Sequence, residues 1–222
     1  MTYIITKRLI DIVLSSLALI LLFPFLLTVA LVLLMTGENE IFYFQERIGQ
    51  NKKKFFIWKF ATMMKNSEAL GSGSITTAND FRVTKVGRYL RKSKINELPQ
   101  IINILKGDIS IVGPRPFVEN IFLLYTKELQ DTIYNVKPGL TGIGSIIFRD
   151  EESIISANKS EQPLEYYRRV ISPFKGELEM WYQSNRSLLL DLKLIFLTAW
   201  VVVFPKTKLH KKWFSDLPER SF

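Results

Sequence analysis

The sequence predicts an α+β protein with a membrane-embedded N-terminal segment. Three observations carry that reading: an uncharged apolar stretch from Ile12 to Met35, two short runs rich in aromatic and β-branched residues, and a helical repeat of apolar positions beginning at Leu98. A chain of 222 residues is long enough for one sizeable core beside such a segment. The expected division is a membrane segment over 1–37, a soluble domain over 38–187, and an interfacial helix with a basic tail over 188–222.

The first stretch, IVLSSLALILLFPFLLTVALVLLM, has only Ser15, Ser16 and Thr28 as polar side chains. As one helix it would be about 36 Å long, enough to span a bilayer. It is too long for a cleaved signal peptide, and no small-residue cleavage site follows it. Pro24 stands at its middle, where it removes a helical hydrogen bond and predicts a kink or break. Either half alone, about 18 Å, falls short of a hydrocarbon core of about 30 Å. Lys7 and Arg8 lie on one side while Arg47 and Lys52, Lys53 and Lys54 lie on the other, so a spanning helix conflicts with the positive-inside rule. A re-entrant hairpin turning at Pro24 removes the conflict; a kinked transmembrane anchor is the alternative. The second stretch, Leu188 to Pro205, contains Asp191 and Lys193 and is followed by Lys206, Lys208, Lys211 and Lys212. It reads as an amphipathic helix at the membrane interface, with a buried core helix as the alternative.

Composition narrows the chemistry. The absence of cysteine and the single His210 exclude disulfides, thiolate nucleophiles and multi-histidine zinc sites. Any metal would be a hard cation held by oxygens, Mg²⁺ first. A net charge of +9 in a chain that is 47% hydrophobic points to an anionic partner, a phosphate-bearing surface or substrate. No nucleic acid is expected as partner: no groove-reading module is present, and nucleic-acid binding would leave the apolar segment unexplained.

In the soluble part, Ile41 to Phe44 and Phe55 to Phe60 read as strands joined by a turn at Gly49-Gln50-Asn51. Asn66 to Asn79, small and polar, reads as a flexible loop. Thr84 is placed to cap a helix over KVGRYLRKS, which puts Lys85, Arg88, Arg91 and Lys92 on one face; Arg82 precedes them. The next helix carries Leu98, Ile101, Ile102 and Leu105 at helical spacing and ends at Gly107. Pro99 is tolerated only in its first turn, so the helix should begin near Asn96, with Glu97 facing the positive end of the helix dipole. Local capping alone would account for that pair. Beyond it, Asp108 to Val112 alternates like a strand and runs into Gly113-Pro114-Arg115-Pro116. The prolines Pro114 and Pro116 fix the backbone around Arg115, whose guanidinium suits bidentate binding of phosphate or of a planar imide edge. Next to the basic helix face and the start of the following helix, Arg115 completes a pocket for a multiply phosphorylated ligand, with Lys59, Arg82, Arg88 and Arg91 as candidate cations. The glycine-rich KPGLTGIGS lacks the spacing of a Walker or Rossmann loop and receives no nucleotide role. Arg149 and the acidic trio Asp150, Glu151 and Glu152 read as a solvated loop able to lend carboxylates.

The order of these motifs is recognisable. KRLIDIVLS with a central proline further on, FYFQERIGQNKKKFFIWKF, VGRYLRKSK, NELPQIINILKGDISIVGPRP and KPGLTGIG together resemble the bacterial sugar transferase family, the monotopic polyprenyl-phosphate phosphoglycosyltransferases. The resemblance runs from about Lys7 to Thr198. It implies transfer of a sugar 1-phosphate from a UDP-sugar to undecaprenyl phosphate with release of UMP, an early membrane step of polysaccharide or glycoconjugate synthesis. It favours the re-entrant hairpin broken at Pro24. It places the protein on the cytoplasmic face of the bacterial inner membrane, against lipid headgroups, and leaves a homodimer open. It also implies Mg²⁺ as cofactor, with Glu97 and Asp108 as the carboxylates expected near it, and an Asp-Glu dyad in which the aspartate forms a phosphosugar-enzyme intermediate. Here the dyad reads Asn96-Glu97, and the arginine of the family's K-F-R-T-M is replaced by Ala61. An amide is a poor nucleophile. Three readings follow: an altered catalytic route through Glu97, Asp108, Asp150 or direct attack by the lipid phosphate; an introduced substitution at position 96; or an inactive relative that binds nucleotide sugar as a membrane scaffold.

Overall fold

The computed structural model describes every residue except 1, 37, 68–69, 71–75, 77–79, 206 and 220–222. Most of the loop expected over 66–79 therefore lies outside the described residues, as do Gly37 at the expected domain boundary and Lys206 of the basic tail.

The N-terminal helix α1 (Thr2–Met35) is about 51 Å long at 1.5 Å per residue and is apolar and long enough to cross a membrane. It is continuous through Pro24, so the expected break into two helices does not occur and the proline can act only as a bend within one helix. One proline removes one backbone hydrogen bond, and the leucine-rich flanks keep their own; the Thr28 hydroxyl donates to the Pro24 carbonyl at 3.0 Å. Only Asp11, Ser15, Val29 and Leu33 of this helix are buried, while side chains such as Ile20, Leu21 and Phe23 stand open. An all-round apolar helix left uncovered by its own protein has the surface of a lipid-embedded one.

Both ends of α1 are held by the soluble domain. Near the start, Arg8 donates to the carbonyls of Ile104 at 2.6 Å and Leu105 at 2.8 Å, and the Asp11 carboxylate accepts the Ile111 N–H at 3.0 Å. Near the end, Val29 and Leu33 pack with Phe60 and Leu90.

Strands β1 (Phe42–Ile48) and β2 (Lys54–Phe60) form the expected antiparallel hairpin, longer than the two runs suggested, with Tyr43 opposite Lys59 and Arg47 opposite Phe55. Their connection is a 3₁₀ turn over Gln50–Lys52. Helix α2 (Lys85–Lys92) begins as expected, its Gly87 N–H donating to the Thr84 hydroxyl at 3.0 Å. A 3₁₀ turn over Ile95–Glu97 then precedes α3 (Gln100–Lys106), so Asn96 is not a helix cap and makes no capping bond. Gly107, at φ 88°, closes α3 in the left-handed conformation that glycine adopts freely. From α3 the Asn103 side chain accepts from Trp58 N–H at 2.9 Å and donates to Phe56 carbonyl at 2.8 Å, completing the free edge of β2.

Strand β3 (Ser110–Val112) is followed by short helices α4 (Glu119–Phe122) and α5 (Lys127–Thr132) and by β4 (Gly139–Thr141), which pairs with β3 in parallel. Gly113 and Gly139 touch backbone to backbone: a Cβ on Gly139 would lie 2.1 Å from Gly113 N. The glycines of KPGLTG thus seat the Gly113–Pro116 loop.

Helices α6 (Ile143–Ile147), α7 (Glu151–Ala157), α8 (Pro163–Tyr166), α9 (Ser172–Asn185), α10 (Leu188–Val203) and α11 (Leu209–Trp213) complete the chain. The main core gathers Ile143, Ile171, Leu178, Tyr182, Leu194 and Leu197. Helix α10 lends this core one face and leaves Leu189, Leu192, Phe196 and Val203 exposed on another. It combines the core helix and the open apolar face that had stood as alternatives. It is tied to α1 through Asp191, which accepts from Lys7 at 2.6 Å and Tyr3 at 2.9 Å, and from Tyr182 at 2.8 Å.

Candidate active site

A cavity of about 1070 Å³ lies between the β1–β2 hairpin, the turn before α3, the Gly113–Pro116 loop and helices α6, α7 and α10. Alternation on β1 turns Tyr43, Gln45 and Arg47 to one face, and the pairing of Tyr43 with Lys59 brings that lysine to the same side. All four line the cavity. Arg91, Lys94, Asn96, Glu97 and Arg115 line it from the other elements.

Glu97 and Arg115 are the centre. The Arg115 guanidinium donates to the Glu97 carboxylate at 3.1 Å, with the two side chains 33% and 16% exposed. Burial opposes charge on Glu97, but Arg115, Lys59 and Lys94 overcome it and hold the carboxyl at about 2. It is a carboxylate at neutral pH, a base or ligand and not an acid. Arg115 is pushed up by Glu97. Lys59 is driven well below the ordinary lysine value by burial and by the neighbouring Arg47. Arg47 itself falls to about 10, through burial and then the charge of Arg115. Crowding cations in a low-dielectric pocket is unfavourable until an anion enters, which is the condition for binding a phosphate.

The Arg115 loop is braced on every side. Tyr134 donates to the Arg115 carbonyl at 2.7 Å, Arg47 donates to the Pro116 carbonyl at 3.0 Å, and the Gly139 N–H donates to the Pro114 carbonyl at 2.8 Å. Glu179, 2% exposed, lies beside the Arg115 backbone N–H, which favours its charged form. Burial lifts its carboxyl to about 8, against the pull of Lys175 and Arg115. Pro114 and Pro116 thus act through the backbone; neither lines the cavity.

Asn96 is 6% exposed, and among the described residues its Oδ1 has no hydrogen-bond partner. An orphaned amide oxygen facing a cavity is costly unless something occupies the space before it. Nearby, Glu152 accepts from Arg91 and Glu151 from Lys175, each at 2.6 Å.

Several expected residues are elsewhere. The Arg82 guanidinium is committed to Asp80 at 2.6 Å and to the carbonyls of Ser67 and Leu70, so it organises its own loop although it borders the cavity. Arg88 is exposed and outside the cavity lining, because the cationic face of α2 is wider than the strip that looks inward. Asp108 accepts from Asn103 at 2.9 Å and pairs with Lys106 at 3.3 Å; it does not line the cavity and is not brought to Glu97. Among the described residues no three carboxylate or histidine groups converge on a metal position. Glu97 and the unpartnered Asn96 Oδ1, both on the cavity lining, are oxygens of the kind Mg²⁺ takes, so the residues present fit such an ion if a diphosphate and water supply its other ligands. Sequence reasoning missed Arg47, Lys175 and Glu179. The two-residue period of β1 would have found Arg47; nothing local marks the other two.

Comparison with known proteins shows the family. The bacterial sugar transferase family model matches residues 2–205, and the chain belongs to that family. It is 38% identical over 198 residues to a UDP-glucose:undecaprenyl-phosphate glucose-1-phosphate transferase of Klebsiella pneumoniae, covering 87% of this chain and 39% of that protein. It is 39% identical over 174 residues to the sugar transferase EpsL of Bacillus subtilis (78% of this chain, 75% of EpsL). It is 37% identical over 209 residues to the exopolysaccharide production protein ExoY of Sinorhizobium fredii (87% and 84%). The chain thus spans about two fifths of the Klebsiella protein's length and most of EpsL and ExoY.

Proposed function

We propose that the protein transfers a sugar 1-phosphate from a UDP-sugar to undecaprenyl phosphate, releasing UMP, on the cytoplasmic face of the bacterial inner membrane. The observation that carries the reading is the ionised Glu97 set among Arg115, Lys59 and Arg47 at the floor of a cavity, in a chain of this family. The cations bind the diphosphate and stabilise the charge that develops on the leaving UMP. Arg115, fixed by its braced loop, presents its guanidinium edge to a phosphate or the uracil. Glu97 and the Asn96 amide would hold Mg²⁺ against the diphosphate; when bound, that ion would offset phosphate charge.

With an amide at 96, and Glu97 tied to Arg115 and weakly basic, neither side chain is a good nucleophile. The lipid phosphate therefore attacks the sugar-bearing phosphorus directly. One phosphorus–oxygen bond forms as the bond to UMP breaks, and the sugar keeps its bond to oxygen. Asp108 and Asp150, the other carboxylates considered, do not line the cavity.

A re-entrant placement, in which α1 bends at Pro24 while remaining one helix and leaves by the face it entered, is supported by its two ends, both held against one soluble domain. The test of function is UMP release by the detergent-purified chain with undecaprenyl phosphate, Mg²⁺ and a panel of UDP-sugars. Turnover that requires the lipid and falls at least about a hundredfold in Glu97→Gln is expected. An Asn96→Asp chain should gain a burst of UMP without lipid, from a covalent intermediate. Silence from all three would leave a nucleotide-sugar-binding scaffold instead.

A further inference from the structure

Helix α10 presents three faces. Leu190, Leu194, Leu197 and Val201 enter the core. Leu189, Leu192, Phe196 and Val203 stand open. Between these faces runs a stripe at i, i+3, i+4 and i+7, formed by Ile195, Thr198, Ala199 and Val202, and all four line the cavity that holds Glu97 and Arg115. The one polar member is satisfied: the Thr198 hydroxyl lies 2.7 Å from that of Thr141 and donates to the Leu194 carbonyl. The stripe is therefore an apolar wall, continued on the cavity lining by Ile111 and Leu140 of the strands packed against α10.

This wall joins two environments. At its inner side the cavity carries cations; at its outer side α10 turns directly into the exposed face of Phe196 and Val203. The start of α10 also flanks the start of α1, where Ile10 and Asp11 share a small cleft with Leu188, Leu192 and Ile195. The open face of α10 is thus continuous with the uncovered apolar surface of α1. A ligand matched to this path has a phosphate at one end and hydrocarbon beginning at the next bond. The cavity, about 1070 Å³, is at the top of the range for one small ligand, about 300–1,000 Å³, leaving room for donor and acceptor together.

We propose that the Ile195–Thr198–Ala199–Val202 stripe is the acceptor-lipid subsite, along which the first isoprene units of the polyprenyl phosphate lie with the phosphate toward Arg115. The assignment rests on the proposed transfer reaction. It predicts that affinity for the acceptor depends on its hydrocarbon and that filling the stripe removes that dependence.

The experiment measures UMP release by the full chain at fixed UDP-sugar while undecaprenyl phosphate and geranyl phosphate are varied, in the unmodified protein, Ala199→Trp and Val202→Phe. Binding of UDP is measured by calorimetry and folding by thermal melting. The expected result is a rise in KM for undecaprenyl phosphate of about tenfold in either variant, with UDP affinity changed less than about twofold and the advantage over geranyl phosphate shrunken. If Ala199→Trp does not fold, Val202→Phe decides. Lipid-dependent turnover with KM unchanged in the folded variants would overturn the subsite and leave the reaction standing. Parallel loss of UDP affinity would mean a distorted cavity and would equally overturn it. No lipid-dependent turnover in the unmodified protein would remove the reaction and the subsite with it.

Discussion

Glu97 and Glu179 hold the same arginine from opposite ends and titrate in opposite directions. Glu97, bonded to the Arg115 guanidinium, is depressed from 4.5 to about 2, so its pairing stabilises the fold above pH 4.5 and is lost as pH falls toward 2. Glu179, at the Arg115 backbone, is raised to about 8 by burial. The folded chain keeps that proton while the unfolded chain releases it, so stability falls as pH rises from about 4.5 to about 8 and then levels. With about 1.4 kcal/mol per pKa unit and about 2–4 °C per kcal/mol, the melting midpoint should drop by on the order of ten degrees across that window. A Glu179→Gln chain should show a flatter profile by thermal melting between pH 5 and 8; an unchanged slope would place the titration elsewhere. At this scale the sequence was legible where a motif or a proline marked the residue, as at Asn96, Glu97 and Arg115. Arg88 was placed wrongly because helical spacing tells which residues share a face, not which face looks inward; Arg82 does border the cavity, but the Asp two residues before it claims its guanidinium.

Elements owe their positions to a few buried polar side chains. Asn103, fully buried, replaces a missing strand partner for β2, and Asn103→Leu should leave the Trp58 N–H and Phe56 carbonyl unpaired, at a cost of about 1–3 kcal/mol each. Asp191 joins α1, α9 and α10, and Asp191→Ala strands a largely buried Lys7. A loss of about 3–5 kcal/mol is expected, read as a lowered melting midpoint in detergent; a change under about 1 kcal/mol would mean that the junction is wetter than its geometry implies. The hairpin, α2 and the Gly107 cap were all readable from period and turn chemistry. The two buried polar junctions were not, since an asparagine inside an apolar helix face and an aspartate inside an apolar stretch announce a partner without saying which. Pro24 misled for a related reason. Its cost is local and fixed, whereas the helix around it has apolar residues enough to absorb it.

For the whole molecule the test is topological. Thr2→Cys and Glu38→Cys flank α1, and a membrane-impermeant thiol reagent added to inside-out vesicles should label both if the helix returns to the face it entered. Labelling of only one would make α1 a spanning anchor. The sequence carried this question and its two answers; what it lacked was the contact of both helix ends with one domain, which only tertiary structure supplies. That contact joins two scales. Arg8, at the start of the lipid-embedded helix, grips the last carbonyls of α3, and α3 begins three residues after Glu97. A short rigid rod therefore links the depth of the anchor to the position of the Glu97 carboxylate. Bilayers of greater or lesser hydrophobic thickness tilt or lift such an anchor at little cost. Turnover in liposomes should consequently vary with acyl-chain length even at constant acceptor concentration, so that the protein works as a gauge of the membrane in which it sits.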